Sequence, residues 1–176
     1  MKNVIVGQSG GPTSVINASL LGVFKTAKDR GADIVYGMVH GIKGLLDKDV
    51  VDLSKQIKND LDMDLLKRTP SSFLGSCRYK LPAIEGNEKT YDQIFATLKE
   101  LDIYAFFYIG GNDSMDTIDK LSKYGKKIGS PIRFMGCPKT IDNDLAITDH
   151  TPGYGSAAKY IAATTKEIIR DGLVYD

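Results

Sequence analysis

The stretch Cys137-Pro138-Lys139-Thr140-Ile141-Asp142-Asn143-Asp144 sets a lysine, a threonine and two aspartates directly after an apolar run. That run, Ile132 to Gly136, reads as a short strand, so the polar cluster falls at a strand's carboxyl end, where open α/β sheets bind their ligands. A carboxylate held beside a substrate hydroxyl can take its proton as attack begins, which makes Asp142 a candidate base, with Asp144 two residues away in the same loop. Lys139 contributes a compact positive charge of the kind that holds phosphate oxygens.

Two further loops make phosphate the leading ligand class. Tyr104 to Ile109 is an apolar, aromatic-rich run that reads as a buried strand, and it opens into Gly110-Gly111-Asn112-Asp113-Ser114 and then a helical pattern. Glycines let a backbone approach an anion closely, and the helix behind them aims unpaired N–H groups and a positive dipole end at it. The amino-terminal segment repeats the design. Val4 to Gly7 is a strand candidate, Ser9-Gly10-Gly11-Pro12-Thr13 the turn, and Val15, Ala18, Ser19, Gly22 and Val23 fall on one helical face.

Taken in order, SGGPTSVINA, FLGSCR, IGGNDS, PKTIDND and the helical stretch after TPGYGSA resemble the 6-phosphofructokinases over essentially the whole chain. The variant is similar to the pyrophosphate-dependent branch: ATP-using members carry GGDGS and PGTIDND, whereas this chain has Asp113 and Lys139 in place of two of those glycines. The resemblance implies reversible transfer of a phosphoryl group from pyrophosphate to the 1-hydroxyl of fructose 6-phosphate in glycolysis, giving fructose 1,6-bisphosphate and phosphate. It implies Asp142 as base, Thr140 and Asp144 positioning the sugar end and the base, and Gly11, Arg78 and Ser114 at the donor phosphates. Asp113 and Lys139 would select the donor. It also implies magnesium. The loop's first acidic residue, which the family associates with that ion, is Asn112 here, so the ion could be held by the Asn112 oxygen, through water, by Asp113 or mainly by pyrophosphate.

The donor switch has a physical rationale of its own. A carboxylate at Asp113 projects negative charge into space that the α-phosphate of ATP would need. Two like unit charges about 4 Å apart at an effective dielectric of about 20 repel by roughly 4 kcal/mol, on the order of a thousandfold in affinity. Lys139 can stabilise charge on the transferring phosphoryl group or the leaving phosphate, and stabilisation of that kind is most of what phosphoryl transfer asks of a protein.

Composition excludes several classes. The 176 residues carry 23 Lys+Arg against 22 Asp+Glu, a net charge of +1, so no basic stripe points to nucleic acid. Ordinary apolar and charged fractions predict one soluble α/β domain rather than a disordered or disulfide-built chain. Cys77 and Cys137 lack metal-type or CxxC spacing, which predicts free thiols in a reducing cytoplasm. No apolar run is long enough for a bilayer, and no signal-peptide pattern opens the chain. His40 and His150 have no acidic or thiol partner at ligand spacing. Gly153-Tyr154-Gly155-Ser156-Ala157-Ala158 matches a dinucleotide fingerprint, but Thr148 to Pro152 before it is not a strand, which makes the match a decoy.

The elements that must position these groups alternate as in a doubly wound, mostly parallel sheet. Strands are expected near Asn3, over Asp33 to Val39, over Ser72-Phe73-Leu74, and before the two later loops. A glycine-punctuated loop is expected through Gly41 and Gly44. Helices are expected to Arg30, over the amphipathic Leu53 to Arg68 with Ile57, Leu61, Leu65 and Leu66, and with Tyr91, Ile94, Phe95, Leu98 and Leu101 inward. The charges from Asp47 to Lys67 read as a solvated surface. A last helix (Ala157 to Ile169) closes at Asp171-Gly172, and Leu173 to Asp176 would begin another strand. Residues 1 to 176 thus read as the amino-terminal donor and catalytic-loop portion of a two-domain enzyme, short of the family's later sugar-binding motif, inactive alone and homo-oligomeric at full length. An ATP-dependent or mixed-donor phosphofructokinase, a member of the NAD and lipid kinases, and a noncatalytic phosphate-binding module are the competing readings.

Overall fold

The computed structural model describes residues 2–174. Five strands, β1 (Asn3–Gln8), β2 (Val35–Met38), β3 (Val50–Asp52), β4 (Ile103–Gly110) and β5 (Arg133–Pro138), form one sheet in the order β3-β2-β1-β4-β5. Pairing is parallel except for β3, which runs antiparallel to β2 at one edge. The helices are α1 (Ile16–Asp29), α2 (Gly41–Leu46), α3 (Leu53–Gln56), α4 (Asp60–Arg68), α5 (Glu88–Glu100), α6 (Asn112–Lys127) and α7 (Tyr154–Gly172).

Both faces of β1 and β2 bury apolar side chains, whereas β5 is largely exposed and one face of β4 and β5 borders an open apolar groove. Because successive side chains point to opposite faces, β1 sends Ile5 to one core and Val4 and Val6 to the other. β4 likewise sends Phe106 and Tyr108 one way and Ala105 and Ile109 the other. The first core is closed by α2, α5 and α6 through Ile42, Leu45, Tyr91, Ile94, Leu98, Leu121 and Tyr124. The second is closed by α1, α3 and α4 through Ile16, Leu20, Phe24, Leu53 and Leu66.

Several expectations change in the structure. The Gly41–Leu46 stretch is helix α2, not a loop, and its glycines answer to packing. Gly41 has φ +63°, and a Cβ there would meet the Tyr108 hydroxyl at 2.6 Å, while one at Gly44 would fall inside the Val39 carbonyl oxygen. The helix expected over Leu53 to Arg68 is two helices, separated by Ile57 to Asn59. Ile57 and Leu66 are buried, but Leu61 and Leu65 face outward. Each helix has its own side-chain cap: Asp52 accepts from Ser54 N (2.9 Å) and Asn59 from Asp62 N (2.9 Å).

Ser72-Phe73-Leu74 is not a strand. α1 buries Ile16, Asn17, Leu20 and Phe24. The small-residue face read from the sequence lines, through Ser19, Gly22 and Val23, an apolar groove of about 980 Å³ shared with Tyr104 and Phe107 of β4. α7 is helical as expected but buries none of its residues. The expected final strand partly lies outside the described residues, since Leu173 caps α7 and Tyr175 and Asp176 are not described.

Two glycine substitutions test this packing by calorimetry. Gly44→Ala should cost about 3 kcal/mol through a backbone clash, lowering the thermal midpoint by about 6–12 °C. Gly22→Ala, with nothing within 4 Å of the new Cβ, should be neutral or stabilise α1 by up to about 1 kcal/mol.

Candidate phosphate-binding site

Three neighbouring parallel strands end side by side, and their loops build the site. Ser9, just beyond β1, donates its backbone N–H to Ile109 O of β4 (2.9 Å), and Lys139, just beyond β5, donates to Gly110 O (3.0 Å). The first glycine turn, the second glycine turn and the Lys139-to-Asp144 loop are thereby lined up along one edge. Gly10 has φ +76°, open to glycine at little cost. Gly110 is required by proximity, since a Cβ there would collide with the Ser114 side chain. α6 starts at Asn112 with Gly111 as its N-cap and no side-chain cap, so its first N–H groups are left to the groove.

Two connecting clefts result. One of about 260 Å³ is lined by Gly11, Pro12, Thr13, Gly111, Asn112, Lys139, Thr140, Ile141 and Asp142. The other, of about 450 Å³, is lined by Ser9, Gly10, Gly11, Cys77, Arg78, Tyr79, Gly111, Asn112, Asp113, Ser114 and Lys139. Gly11, Gly111, Asn112 and Lys139 belong to both, so a single ligand can span them with the Lys139 ammonium between its ends.

Lys139 is only 5% exposed, and no ion pair to it exists among the described residues. Burial holds its pKa below the ordinary 10.5. A charge withdrawn from water without a protein counter-charge is costly unless an anion joins it. Nζ also lies 3.4 Å from where a Cβ on Gly10 would sit, so the glycine leaves room for the ammonium.

At the other end, the Asp142 backbone N–H donates to Thr140 Oγ1 (3.0 Å), which orients the aspartate, and the side chain is exposed toward the smaller cleft. The loop closes on itself: Thr140 N donates to Pro152 O (3.3 Å) and Thr151 Oγ1 to Thr140 O (2.8 Å). Asn143 bridges it internally, donating to Asp149 O (3.1 Å) and accepting from Thr151 N (3.0 Å).

The structure thus brings Gly11, Arg78, Asn112, Asp113, Ser114, Lys139, Thr140 and Asp142 around one groove. Asp144 is exposed and lines neither cleft. Ser114 is buried within the first turn of α6 rather than capping it, and Thr13 Oγ1 accepts from Val15 N at 3.4 Å. Tyr79 and Lys80 were not singled out from the sequence. Tyr79 lines the larger cleft, and Lys80 Nζ pairs with Asp113 at 3.4 Å; both partners are more than 70% exposed, so the pair contributes little to stability. A second cation two residues after Arg78 was the available signal. Cys77 and Cys137 are free thiols, and burial pushes Cys137 up. The dinucleotide-like match lies at the start of α7 with no strand before it. Among the described residues, no helix is long and apolar enough to cross a membrane.

Fold and site together define a doubly wound α/β domain with a groove holding a buried lysine at the carboxyl ends of three parallel strands. Residues 3–172 match the phosphofructokinase family model, and the chain belongs to that family. It is 46% identical over 160 residues to a pyrophosphate–fructose 6-phosphate 1-phosphotransferase from Rhodospirillum rubrum, covering 90% of this chain and 38% of the relative. It is 35% identical over 158 residues to an ATP-dependent 6-phosphofructokinase from Vibrio cholerae, covering 89% of this chain and 44% of the relative. The crystal structure of a pyrophosphate-dependent phosphofructokinase from Nitrosospira multiformis superposes with a TM-score of 0.88 at 44% identity, covering 97% of this chain and 42% of that one. The chain therefore spans about 40% of the length of the curated relatives it matches.

The buried ammonium gives a pH-dependent expectation. With the folded pKa of Lys139 depressed, the unfolded state binds more protons between that value and 10.5, and stability rises with pH across this window. Lys139→Met should therefore raise the thermal midpoint at neutral pH, and the gain should shrink as pH approaches 10.5. A midpoint that is unchanged or lowered at pH 7 would show that the charge is already compensated.

Proposed function

We propose that this chain forms the donor-binding and catalytic-loop portion of a pyrophosphate-dependent 6-phosphofructokinase. The observation that supports this reading most directly is the buried ammonium of Lys139, which has no ion-pair partner among the described residues and lies between two glycine turns. A diphosphate fits that groove chemically. Its distal phosphoryl would lie by Gly11, Lys139 and the smaller cleft, and its other phosphate by Arg78 and the first turn of α6. The 46% identity to the Rhodospirillum rubrum relative named for pyrophosphate, against 35% to the ATP-dependent relative from Vibrio cholerae, supports the same donor.

In this mechanism the 1-hydroxyl of fructose 6-phosphate attacks the distal phosphorus, and the bond from that phosphorus to the bridging oxygen breaks. Asp142 takes the hydroxyl proton, with Thr140 fixing its backbone. Lys139 stabilises the negative charge moving onto the leaving phosphate. Asp144, away from the clefts, would act on the sugar side. The Asp113 carboxylate, which lines the larger cleft and pairs with Lys80, would disfavour the further phosphate of a nucleotide by like-charge repulsion. Magnesium fits as an ion carried largely by the diphosphate and water, with oxygens from Asn112 and Asp113; no group of three metal-ligating side chains occurs among the described residues. Bound Mg²⁺ would supply charge neutralisation on the phosphate oxygens.

Calorimetric titration tests the donor assignment. Pyrophosphate with magnesium should bind this chain and ATP should not, whereas Asp113→Gly should admit measurable ATP binding. Equal affinity of the unaltered chain for both would remove the gate.

The base has a separate kinetic test. In a polypeptide of the relatives' full length that contains this segment, Asp142→Asn should lower turnover about 10²- to 10⁴-fold, the usual worth of a general base, while leaving pyrophosphate affinity nearly unchanged. Near-normal turnover would take Asp142 out of that role.

A further inference from the structure

Residues 69 to 83, which carry Arg78 into the groove, contain no helix or strand, so their backbone groups must find partners elsewhere. Two buried amide side chains supply several. Gln8, at the end of β1, is 0% exposed, and Asn17, in the first turn of α1, is 1% exposed. Gln8 Nε2 donates to Asn17 Oδ1 (2.9 Å) and to Ile16 O (3.3 Å), and Gln8 Oε1 accepts from Leu74 N (2.9 Å). Asn17 Oδ1 also accepts from Phe73 N (2.9 Å), and Asn17 Nδ2 donates to Thr69 O (2.9 Å). The polarity is determined: turning over the Asn17 amide would aim its NH₂ at the Phe73 N–H and the Gln8 NH₂ together.

From this network we infer that Gln8 and Asn17 are positioning residues of the anion groove, acting on the ligand only through the Thr69–Arg78 segment. Beyond their reach the segment is fastened straight to the first glycine turn. Ser9 Oγ and Gly10 N both donate to Cys77 O (3.2 and 3.3 Å), and Ser76 Oγ donates to Gly10 O (2.5 Å). The Tyr108 hydroxyl, which accepts from Ile42 N (3.0 Å), lies 3.8 Å from Cys77 Sγ. A displacement at Phe73 and Leu74 therefore reaches both Arg78 and the Gly10 turn. Buried networks with every member satisfied fix one arrangement, and loss of one member leaves the others unpaired.

The ligand side of this inference rests on the pyrophosphate reading, so the test separates the two. Gln8→Met keeps the volume and removes the hydrogen bonds, Asn17→Ser is the second variant, and Leu20→Ala is a control that thins the same core at a residue with no hydrogen bond in the network. Hydrogen exchange at the Phe73 and Leu74 amides, alkylation of Cys77 and calorimetric pyrophosphate affinity are measured on folded protein. Gln8→Met should speed exchange at those two amides, speed alkylation and weaken pyrophosphate about tenfold, but by less than about twofold more when Arg78→Ala is already present. Asn17→Ser should behave alike, and the control should hold its affinity within about twofold. Affinity losses equal to the control's, or additive with Arg78→Ala, would overturn the inference. If the unaltered chain fails to bind pyrophosphate while the amides and Cys77 respond as stated, the tether stands and the donor assignment falls.

Discussion

The backbone pairing of β1, β4 and β5 is the constraint on which the rest depends. Parallel strands in register deliver their carboxyl ends to one edge, and two hydrogen bonds past the last ladder positions, Ser9 N to Ile109 O and Lys139 N to Gly110 O, carry that alignment into the loops. Every group proposed to meet phosphate is in one of those loops, in the first turn of the helix that follows one, or, like Arg78, in a segment hydrogen-bonded to one. The sheet can impose this because aromatic side chains hold β4 to β5 (Phe106 to Phe134, centroids 5.4 Å apart) and α6 is laid against both strands.

Chemistry and stability pull against each other at Lys139. The side chain is in a place where its charge is poorly solvated, and the glycines around it forgo side chains that would otherwise fill the space. Such a position is disfavoured in the ligand-free domain and favoured once an anion arrives, so folding bears the cost of withdrawing the charge from water and ligand binding offsets it. Sites that break local packing rules in this way are where function is expected to be found.

Much of this was legible in the sequence, for identifiable reasons. The four parallel strands announce themselves as apolar runs followed by glycine or polar turns, and the three site loops follow directly from their ends. β3 was invisible because Val50-Val51-Asp52 is too short for any period to register. α2 was read as a loop because Gly41 and Gly44 signal irregularity locally, whereas they are set by contacts with Tyr108 and Val39. Ser72 to Leu74 has strand-like composition, but its backbone partners are side chains more than fifty residues earlier. Gln8 and Asn17 gave no signal, since a polar residue ending a strand and an asparagine in a first helical turn are each unremarkable until the fold joins them. The isoleucines of α7 were correctly read as helical, but period alone does not say what a helical face meets.

The loop from Thr140 to Gly153 is pinched at its neck: Thr140 pairs with Gly153 in an isolated parallel bridge, and Thr151 bonds back to Thr140. It is an Ω-shaped excursion, and α7 begins at its far foot. Lys139 follows β5 directly and bonds to β4, while Asp142 belongs to the excursion, so the two groups proposed to serve opposite ends of one reaction have different backbone anchors. The neck also ties the foot of α7 to Thr140, two residues before Asp142. Holding the loop's ends together lowers the entropy cost of ordering the excursion that carries the carboxylate.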